Sequence, residues 1–354
     1  MDNINECKLI FRLNRDKKSY KVSKCSDKNI KEVVIPPTYN GKNVTSIGKC
    51  AFEDCSSLKN VVLPESITSI GDGAFFRCRS LENITIPENL ISIGIGSFNQ
   101  CRELKSITIP KSVTSIGNSA FYWCDSITSI AIPENLTSIG DTVFANCRAL
   151  TSIIVDKKNK IYDSRENCNA IIETSTNKLI FGCKNTVIPK GVTSVGNHAF
   201  HGCKKLTSIT IPNTITSIGE DGFFQCNALK SIIIPNSVIS IDDGAFYGCT
   251  GLTSVTISNS ITDIGHRTFY FCSSLKSIII PESVTNIGKK AFEDCRLLES
   301  ITIPKSVIYI GPYAFDYCYS LKNVYYTGTE EQWNNITIDD DRIKEVTINY
   351  NYKG

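Results

Sequence analysis

A cysteine recurs every 23 residues through most of this 354-residue chain, and a phenylalanine stands three residues before each one. The members of this Phe–Cys ladder are Phe52 and Cys55, Phe75 and Cys78, Phe98 and Cys101, Phe121 and Cys124, Phe144 and Cys147, Phe200 and Cys203, Phe223 and Cys226, Phe246 and Cys249, Phe269 and Cys272, Phe292 and Cys295, and Phe315 and Cys318. A fixed period of this length is typical of a solenoid, in which each repeat forms one coil and the coils stack. The period therefore predicts a repeat solenoid, and it directs the search for function to a surface.

The repeat that begins at Leu81 shows what one coil contains. Ile84 and Ile86 alternate with polar residues, which predicts a strand with one buried face. Pro87 cannot donate to a strand ladder and ends that strand. Gly94 permits a sharp corner. The Phe and Cys that follow are spaced i, i+3, which predicts a short helical or 3₁₀ turn.

The pattern Leu-x-x-Ile-x-Ile-Pro-x-Ser-Val-Thr-Ser-Ile-Gly-x-x-Ala-Phe-x-x-Cys resembles the BspA-like leucine-rich repeat, and the chain carries eleven copies of it. The resemblance implies a right-handed leucine-rich-repeat coil with a parallel sheet. We therefore expect an α/β to mostly β solenoid with short helical or 3₁₀ turns and β caps at both ends.

The spacing of the copies predicts five segments. Residues 1–43 form an N-terminal β cap, residues 44–155 hold five repeats, residues 156–190 are irregular, residues 191–324 hold six repeats, and residues 325–354 form a C-terminal cap. In the irregular segment two strand-like runs, 170–173 and 178–181, predict a β-hairpin coil that continues the core. A separate functional insertion is the alternative.

The composition excludes several classes of partner. The net charge is only +3, from 38 basic and 35 acidic residues, which argues against nucleic acid and anionic membrane as partners. No apolar run reaches transmembrane length. The first residues lack the basic and apolar regions of a signal peptide, so either the protein stays inside the cell or a leader precedes this sequence.

The cysteines predict core packing rather than disulfides. Neighbouring coils are close enough for bridges, but a bridge would pair two coils and distort both, whereas the pattern treats every coil alike. We therefore expect buried free thiols that act as small hydrophobic side chains.

The search for catalytic chemistry finds no candidate, and we expect neither an enzyme nor a cofactor. His198 and His201 stand close to Cys203, a combination that could indicate zinc. Cys203, however, belongs to the Phe–Cys ladder, where its side chain faces inward. We therefore predict two surface histidines on a turn and no metal site.

Two surfaces remain as candidates for partner binding. The first is the strand face, the outward side of the Ile-x-Ile strands, which presents Ser208, Thr210, Ser231, Ser254, Thr256 and Ser277. The alternative there is a solvated sheet of good β propensity. The second is the aromatic row just after the ladder phenylalanines, which comprises Phe76, Tyr122, Trp123, Phe224, Tyr247 and Tyr270. The alternative for these rings is that they lie over the corner of the coil and pack on each other.

BspA-like proteins are associated with surface adhesion and host-matrix binding, and the resemblance implies the same here. The predicted function is therefore a non-enzymatic, monomeric adhesion module that presents an extended curved surface to a protein or host-surface partner. A structural spacer or intracellular scaffold with little specific affinity is the alternative. The resemblance implies a cell-surface or secreted location, and the missing leader leaves a cytoplasmic one open.

Overall fold

The computed structural model describes residues 9–353, and the chain divides into two compact units, residues 1–174 (unit 1) and residues 175–354 (unit 2). Each unit consists of stacked coils with short strands, and the described residues form about 14 such turns. This mostly β solenoid confirms the predicted fold class. Residues 1–8, which include Cys7 and the start of the predicted N-terminal cap, lie outside the described residues, as does Gly354.

The strands of unit 1 have two to six residues each. They are β1 (Leu9–Leu13), β2 (Tyr20–Cys25), β3 (Glu32–Val34), β4 (Thr38–Tyr39), β5 (Lys42–Ile47), β6 (Asn60–Val62), β7 (Ser69–Ile70), β8 (Asn83–Thr85), β9 (Ser92–Ile93), β10 (Ser115–Ile116), β11 (Ser129–Ile132), β12 (Ser138–Ile139), β13 (Ser152–Val155), β14 (Tyr162–Asp163) and β15 (Ala170–Glu173). A 3₁₀ helix covers Arg165–Asn167.

Unit 1 contains two kinds of parallel sheet. An antiparallel hairpin of β1 and β2 begins the first, whose order is β1-β2-β5-β7-β9-β10-β12, with β4 paired to β5. The Ile-x-Ile strands form the second kind, β3-β6-β8 and β11-β13. Pairing joins residues 23 apart, as where Ser69 lies opposite Ser92. The 23-residue period is therefore the hydrogen-bonding register of the coils.

The strands of unit 2 repeat this arrangement. They are β16 (Lys178–Gly182), β17 (Ser194–Val195), β18 (Ser217–Ile218), β19 (Ser231–Ile233), β20 (Ser240–Ile241), β21 (Ser254–Thr256), β22 (Asp263–Ile264), β23 (Ser277–Ile279), β24 (Asn286–Ile287), β25 (Ser300–Ile303), β26 (Tyr309–Ile310), β27 (Asn323–Tyr326), β28 (Thr337–Ile338) and β29 (Thr347–Asn349). Helix α1 covers Glu330–Asn334, and a 3₁₀ helix covers Arg342–Glu345. The parallel sheets are β16-β17-β18-β20, β19-β21, β22-β24-β26-β28 and β23-β25-β27-β29.

The stretch from the corner glycine to the ladder cysteine is a series of turns rather than a short helix. In the first coil every second backbone amide of this stretch donates to the carbonyl three residues earlier, as in a 3₁₀ helix. Cys55 N, for example, donates to the Phe52 carbonyl at 3.1 Å. Cys50 and Asp54, however, have φ of 53° and 57°. These left-handed residues turn the alternate amides toward the next coil, so that Phe52 N donates to the Ala74 carbonyl at 2.7 Å. The predicted 3₁₀ bonds are therefore present, but a second ladder between coils interrupts them.

The phenylalanines of the Phe–Cys ladder form one continuous stack within each unit. In unit 1 the ring centroids are 5.1–5.5 Å apart, and neighbouring rings are within 8° of parallel. In unit 2 the separations are 4.9–5.5 Å. All of these rings are fully buried. They supply most of the aromatic core, at the spacing of offset stacking.

Nine of the eleven ladder thiols donate to a phenylalanine carbonyl as well as packing in an apolar surrounding. Cys78 Sγ donates to the Phe52 carbonyl at 3.1 Å, and Cys249 Sγ donates to the Phe223 carbonyl at 3.1 Å. The same bond, reaching 26 residues back to a phenylalanine, recurs at Cys101, Cys124, Cys147, Cys226, Cys272, Cys295 and Cys318. Cysteine therefore combines a small hydrophobic volume with a weak donor at this position.

Burial also keeps these thiols protonated. Loss of solvation raises the pKa of Cys78, Cys147 and Cys249 to about 12. The thiolate is the reactive form of cysteine, so these three thiols stay in the less reactive protonated form in the folded state at neutral pH.

The irregular segment departs from the repeat in both units. In unit 1, β14 pairs antiparallel with β15, and Asn159 anchors the preceding turn by donating to the Pro133 and Leu136 carbonyls. In unit 2, β16 pairs parallel with β17. The hairpin of the two predicted runs, the insertion alternative and the five segment boundaries stay predictions.

The last coil of unit 2 ends against a carboxylate. Phe292 N donates to the Ala314 carbonyl of the next coil, but no further Phe–Cys turn follows Phe315. Its amide donates instead to Asp340 Oδ2 at 2.9 Å, while Asp340 Oδ1 accepts from Ile343 N at 2.8 Å. Asp340 is buried and thus replaces the missing carbonyl.

Replacement of Phe121 by Ala should lower the free energy of unfolding by about 3–5 kcal/mol, because it leaves a cavity between two stacked rings in a close-packed core. Urea unfolding measures this difference. The matched control is Lys111→Ala, an exposed residue whose loss should change stability by less than about 0.5 kcal/mol. A loss below about 1 kcal/mol at Phe121 would contradict the packing described.

Stability should fall as the pH rises from about 9 to about 12, because the unfolded thiols ionise near their ordinary pKa while the buried ones stay protonated. The unfolded state then binds fewer protons, and each such thiol contributes a loss of about 1.4 kcal/mol per pH unit. Below about pH 8 the thiols should not contribute to the pH dependence of the free energy of unfolding. Urea unfolding across this pH range measures the slope, and Cys249→Ala should reduce it by about one proton. A slope that Cys249→Ala leaves unchanged would show that this thiol ionises normally.

Candidate functional site

The strand face of unit 2 brings together the residues that the sequence singled out. Ser231 lies opposite Ser254 in the β19–β21 pair. The side chains of Ser231, Ser254, Thr256 and Ser277 are all exposed. Ser208 and Thr210 are exposed too, but they lie outside the strands. The outward positions therefore form an accessible row across β19, β21 and β23.

The strand face also carries large apolar side chains. Ile233 is 69% exposed and Ile279 is 70% exposed, each two residues after the serine of its strand. Thr256 has the same place in β21, between them in coil order. A cleft of about 390 Å³ is lined by residues of β21 and β23, including Thr256 and Ile279. This part of the surface thus joins two exposed isoleucines to a concave site.

The aromatic row of unit 2 is a stack of rings that are half-buried. Phe224 and Tyr247 have ring centroids 4.7 Å apart, and Tyr247 and Tyr270 are 4.6 Å apart. His201 extends the stack, 4.3 Å from Phe224. Each ring is half-buried, so the row packs on itself and still presents ring edges to solvent.

The aromatic row of unit 1 is less continuous. Phe76 lies under the Arg77 guanidinium at 4.7 Å. Tyr122 and Trp123 stack at 5.6 Å, and Arg102 lies 5.1 Å from the Trp123 ring. These three rings are half-buried as well.

Unit 2 also contains a cluster of two histidines and a carboxylate. His198 Nδ1 lies 3.7 Å from Asp221 Oδ2, and the His198 and His201 ring centroids are 5.7 Å apart. Burial lowers the pKa of His201 to about 4, with smaller contributions from the charges of His198 and Lys204. Burial likewise raises the pKa of Asp221 to about 6. The sequence analysis did not connect Asp221 with the histidines.

Cys203 is half-buried, whereas its ladder position predicts a buried thiol. Its Sγ donates to the Gly182 carbonyl at 3.5 Å, and it does not belong to the histidine cluster. Among the described residues, the cluster of His198, His201 and Asp221 is the one group of three or more potential metal ligands.

Two further surface features offer less chemistry. In unit 1 a cleft of about 740 Å³ lies at the irregular segment, lined by residues 154–167 in part, and the charges of Asp163 and Arg165 in it are paired at 2.6 Å. In unit 1, Glu82 lies directly before β8. Its carboxylate forms an ion pair with Lys105 at 2.7 Å and lies 3.7 Å from the ammonium group of Lys59. In both features the charged groups named here already face a group of opposite charge.

Sequence reasoning missed Asp221, and the repeat register could have found it. Asp221 follows His198 by one period of 23 residues, so the two occupy one slot of neighbouring coils. An alignment of this slot across the repeats, rather than a search for nearby residues, would have shown the pair. The register does place Ile233 and Ile279 at an outward strand position, which holds threonine in other repeats.

No helix within residues 9–353 is long and apolar enough to cross a membrane. This finding agrees with the absence of long apolar runs in the sequence.

Comparison with solved structures places the fold among bacterial leucine-rich repeat proteins. A leucine-rich cell surface protein of Faecalibacterium prausnitzii A2-165 is 30% identical, over 95% of this chain and 97% of that one, with a TM-score of 0.63. A leucine-rich repeat protein of Bacteroides ovatus ATCC 8483 is 28% identical, over 99% and 100% of the chains, with a TM-score of 0.54. One of Eubacterium ventriosum ATCC 27560 is 25% identical, over 97% and 93%, with a TM-score of 0.77. Among curated proteins none gives a significant match.

The family described as BspA type leucine-rich repeat region matches this chain over residues 22–151, 170–296 and 240–353. These ranges cover most of the coils described above, including both candidate surfaces. The chain therefore belongs to the BspA-type leucine-rich repeat family.

Proposed function

We propose that the protein is a non-enzymatic binding module of the adhesion type, and that the strand face of unit 2 is its partner surface. The partner is a protein, in the first instance one of a host surface or matrix. The observation that carries the proposal is the pair of exposed isoleucines, Ile233 and Ile279, which flank the serine and threonine row of β19, β21 and β23.

Exposed aliphatic side chains on a regular sheet favour a binding role. Exposure of large apolar side chains to water is energetically unfavourable, and clustered exposed ones mark interaction sites. The inward positions of the same strands, Ile232 and Ile278, are already buried in the core. The outward isoleucines therefore contribute nothing to the packing of the coil and are available to a partner. The similarity to a protein described as a cell surface protein supports the same assignment.

The aromatic row is a second candidate surface. A cleft of about 280 Å³ is lined by Phe224 and Tyr247 together with Asp243 and Arg267, which would suit a polar or charged partner group. The rings, however, cover each other's faces at 4.6–4.7 Å. Their packing role weighs against this surface as the main one.

A structural spacer is the alternative function. The strand face is otherwise made of small polar side chains such as Ser231, Ser254 and Ser277, without the Trp, Tyr or Arg anchors typical of binding hot spots. A spacer needs only a soluble, regular solenoid. The binding experiment below separates the two functions.

Wild-type chain should bind saturably to an immobilised extracellular-matrix extract from cultured epithelial cells. The double variant Ile233→Ser/Ile279→Ser should bind at least tenfold more weakly, because burial of one isoleucine contributes about 1.5–3 kcal/mol. Biolayer interferometry with labelled protein measures both curves.

The matched control is Ile239→Ser/Ile308→Ser. These isoleucines are 64% and 63% exposed in the same unit but lie outside the Ile-x-Ile strands, so their loss should leave binding unchanged. Equal weakening in both double variants would indicate nonspecific apolar adsorption. Absence of saturable binding by the wild type would favour the spacer.

Tyr247→Ala should lower the free energy of unfolding by about 1–3 kcal/mol, since the ring stacks on both neighbours and is half-buried. Binding to the matrix extract should stay within twofold of the wild type. Urea unfolding and the same interferometry assay give the two values. Loss of binding at unchanged stability would instead identify the aromatic row as the partner surface.

A further inference from the structure

Three side chains that can ligate a metal meet where two neighbouring coils of unit 2 stack. His198 and Asp221 occupy the same slot of these coils, and both have positive φ, 56° and 51°. The backbone fixes their relation, since His198 N donates to the Glu220 carbonyl at 2.8 Å. His201 follows three residues later in the same turn and donates its amide to the His198 carbonyl at 3.0 Å. One ligand atom from each of the three lies within 4.8 Å of the others.

The contact between His198 and Asp221 is incomplete as it stands. Nδ1 of His198 is shielded from solvent and makes no hydrogen bond. Its distance of 3.7 Å from Asp221 Oδ2 is too long for one. A buried polar atom without a partner is costly, and a cation between the two groups would satisfy both.

The spacing is close to that of a zinc site. Ligand atoms about 2.0–2.1 Å from a tetrahedral zinc ion lie about 3.3–3.4 Å from each other. The contact of 3.7 Å between His198 and Asp221 is near this value, and one ligand atom of His201 lies within 4.8 Å of both.

The donor set selects the class of ion. Two imidazole nitrogens and one carboxylate oxygen suit zinc and the neighbouring first-row divalent ions rather than Mg²⁺ or Ca²⁺. Asp221 also lines the cleft of about 280 Å³ described above. We propose that His198, His201 and Asp221 bind one divalent transition-metal ion, such as Zn²⁺, with water at the remaining position.

Isothermal titration of the reduced, tag-free chain with ZnCl₂, after removal of metal by EDTA, tests the site. The wild type should bind one Zn²⁺ at this site. His198→Ala and Asp221→Asn should each weaken that affinity at least tenfold. The matched control is His266→Ala, which removes the third histidine; its Nδ1 lies 2.8 Å from the Lys289 carbonyl, outside the cluster, and its loss should leave binding unchanged.

The many thiols require a spectroscopic control. Co²⁺ in place of Zn²⁺ should give visible absorption without the strong near-ultraviolet band of a thiolate ligand. Melting temperatures in EDTA within about 3 °C of the wild type show that the variants fold. If His198→Ala does not fold, Asp221→Asn alone tests the metal site, because its amide group has the same size as the carboxyl group it replaces. A thiolate band, unchanged affinity in folded Asp221→Asn, or no Zn²⁺ binding by the wild type would each overturn the proposal.

Discussion

Hydrogen bonding between equivalent positions of neighbouring coils is the constraint on which the rest of the structure depends. Each coil donates to the next at the same slot, both at the short strands and at the turn before the cysteine. An isolated coil has no such partners and cannot satisfy its own amides, which is why repeats of this kind are stable only in stacks. The side chains follow the same register, so that phenylalanine stacks on phenylalanine and thiols such as Cys101 donate to a carbonyl of the preceding coil.

The same constraint explains the features that look like exceptions. Where unit 2 ends, the buried Asp340 accepts the amide of Phe315 that another coil would have taken. Where the repeat is interrupted in unit 1, the side chain of Asn159 donates to two carbonyls of the preceding coil. Asp340 thus replaces a backbone carbonyl, whereas Asn159 replaces a side-chain hydroxyl such as that of Ser112, which donates to the Leu90 carbonyl in a regular coil. Their positions follow from the ladder rather than from any motif of their own.

The sequence predicted the parts of this protein that depend on period alone. The inward ladder at Phe121 and Cys124 and the outward serines follow from spacing, and the structure places them as expected. The strand predicted at Ser208 and Thr210 does not form. Spacing could not predict the left-handed turns, because their conformation is imposed by bonds between coils on residues such as Trp123 that do not favour it. The half-burial of Tyr247 and the approach of Asp221 to His198 depend on side-chain packing between coils. Such contacts are invisible to a search for residues that are close in the sequence.

The two left-handed positions of each turn have a consequence for how this family of surfaces can change. Outside glycine such a conformation costs about 1–3 kcal/mol, yet one of these slots holds residues as different as Ser119, His198, Asp221, Arg267 and Tyr313. The backbone hydrogen bonds between coils offset that energetic cost for every side chain found at the slot. Each slot is therefore a site where a single codon change exposes new chemistry at a known distance from its neighbours, without refolding of the scaffold. A solenoid of this kind can acquire or lose a ligand set by point mutation, while its core sequence stays almost constant.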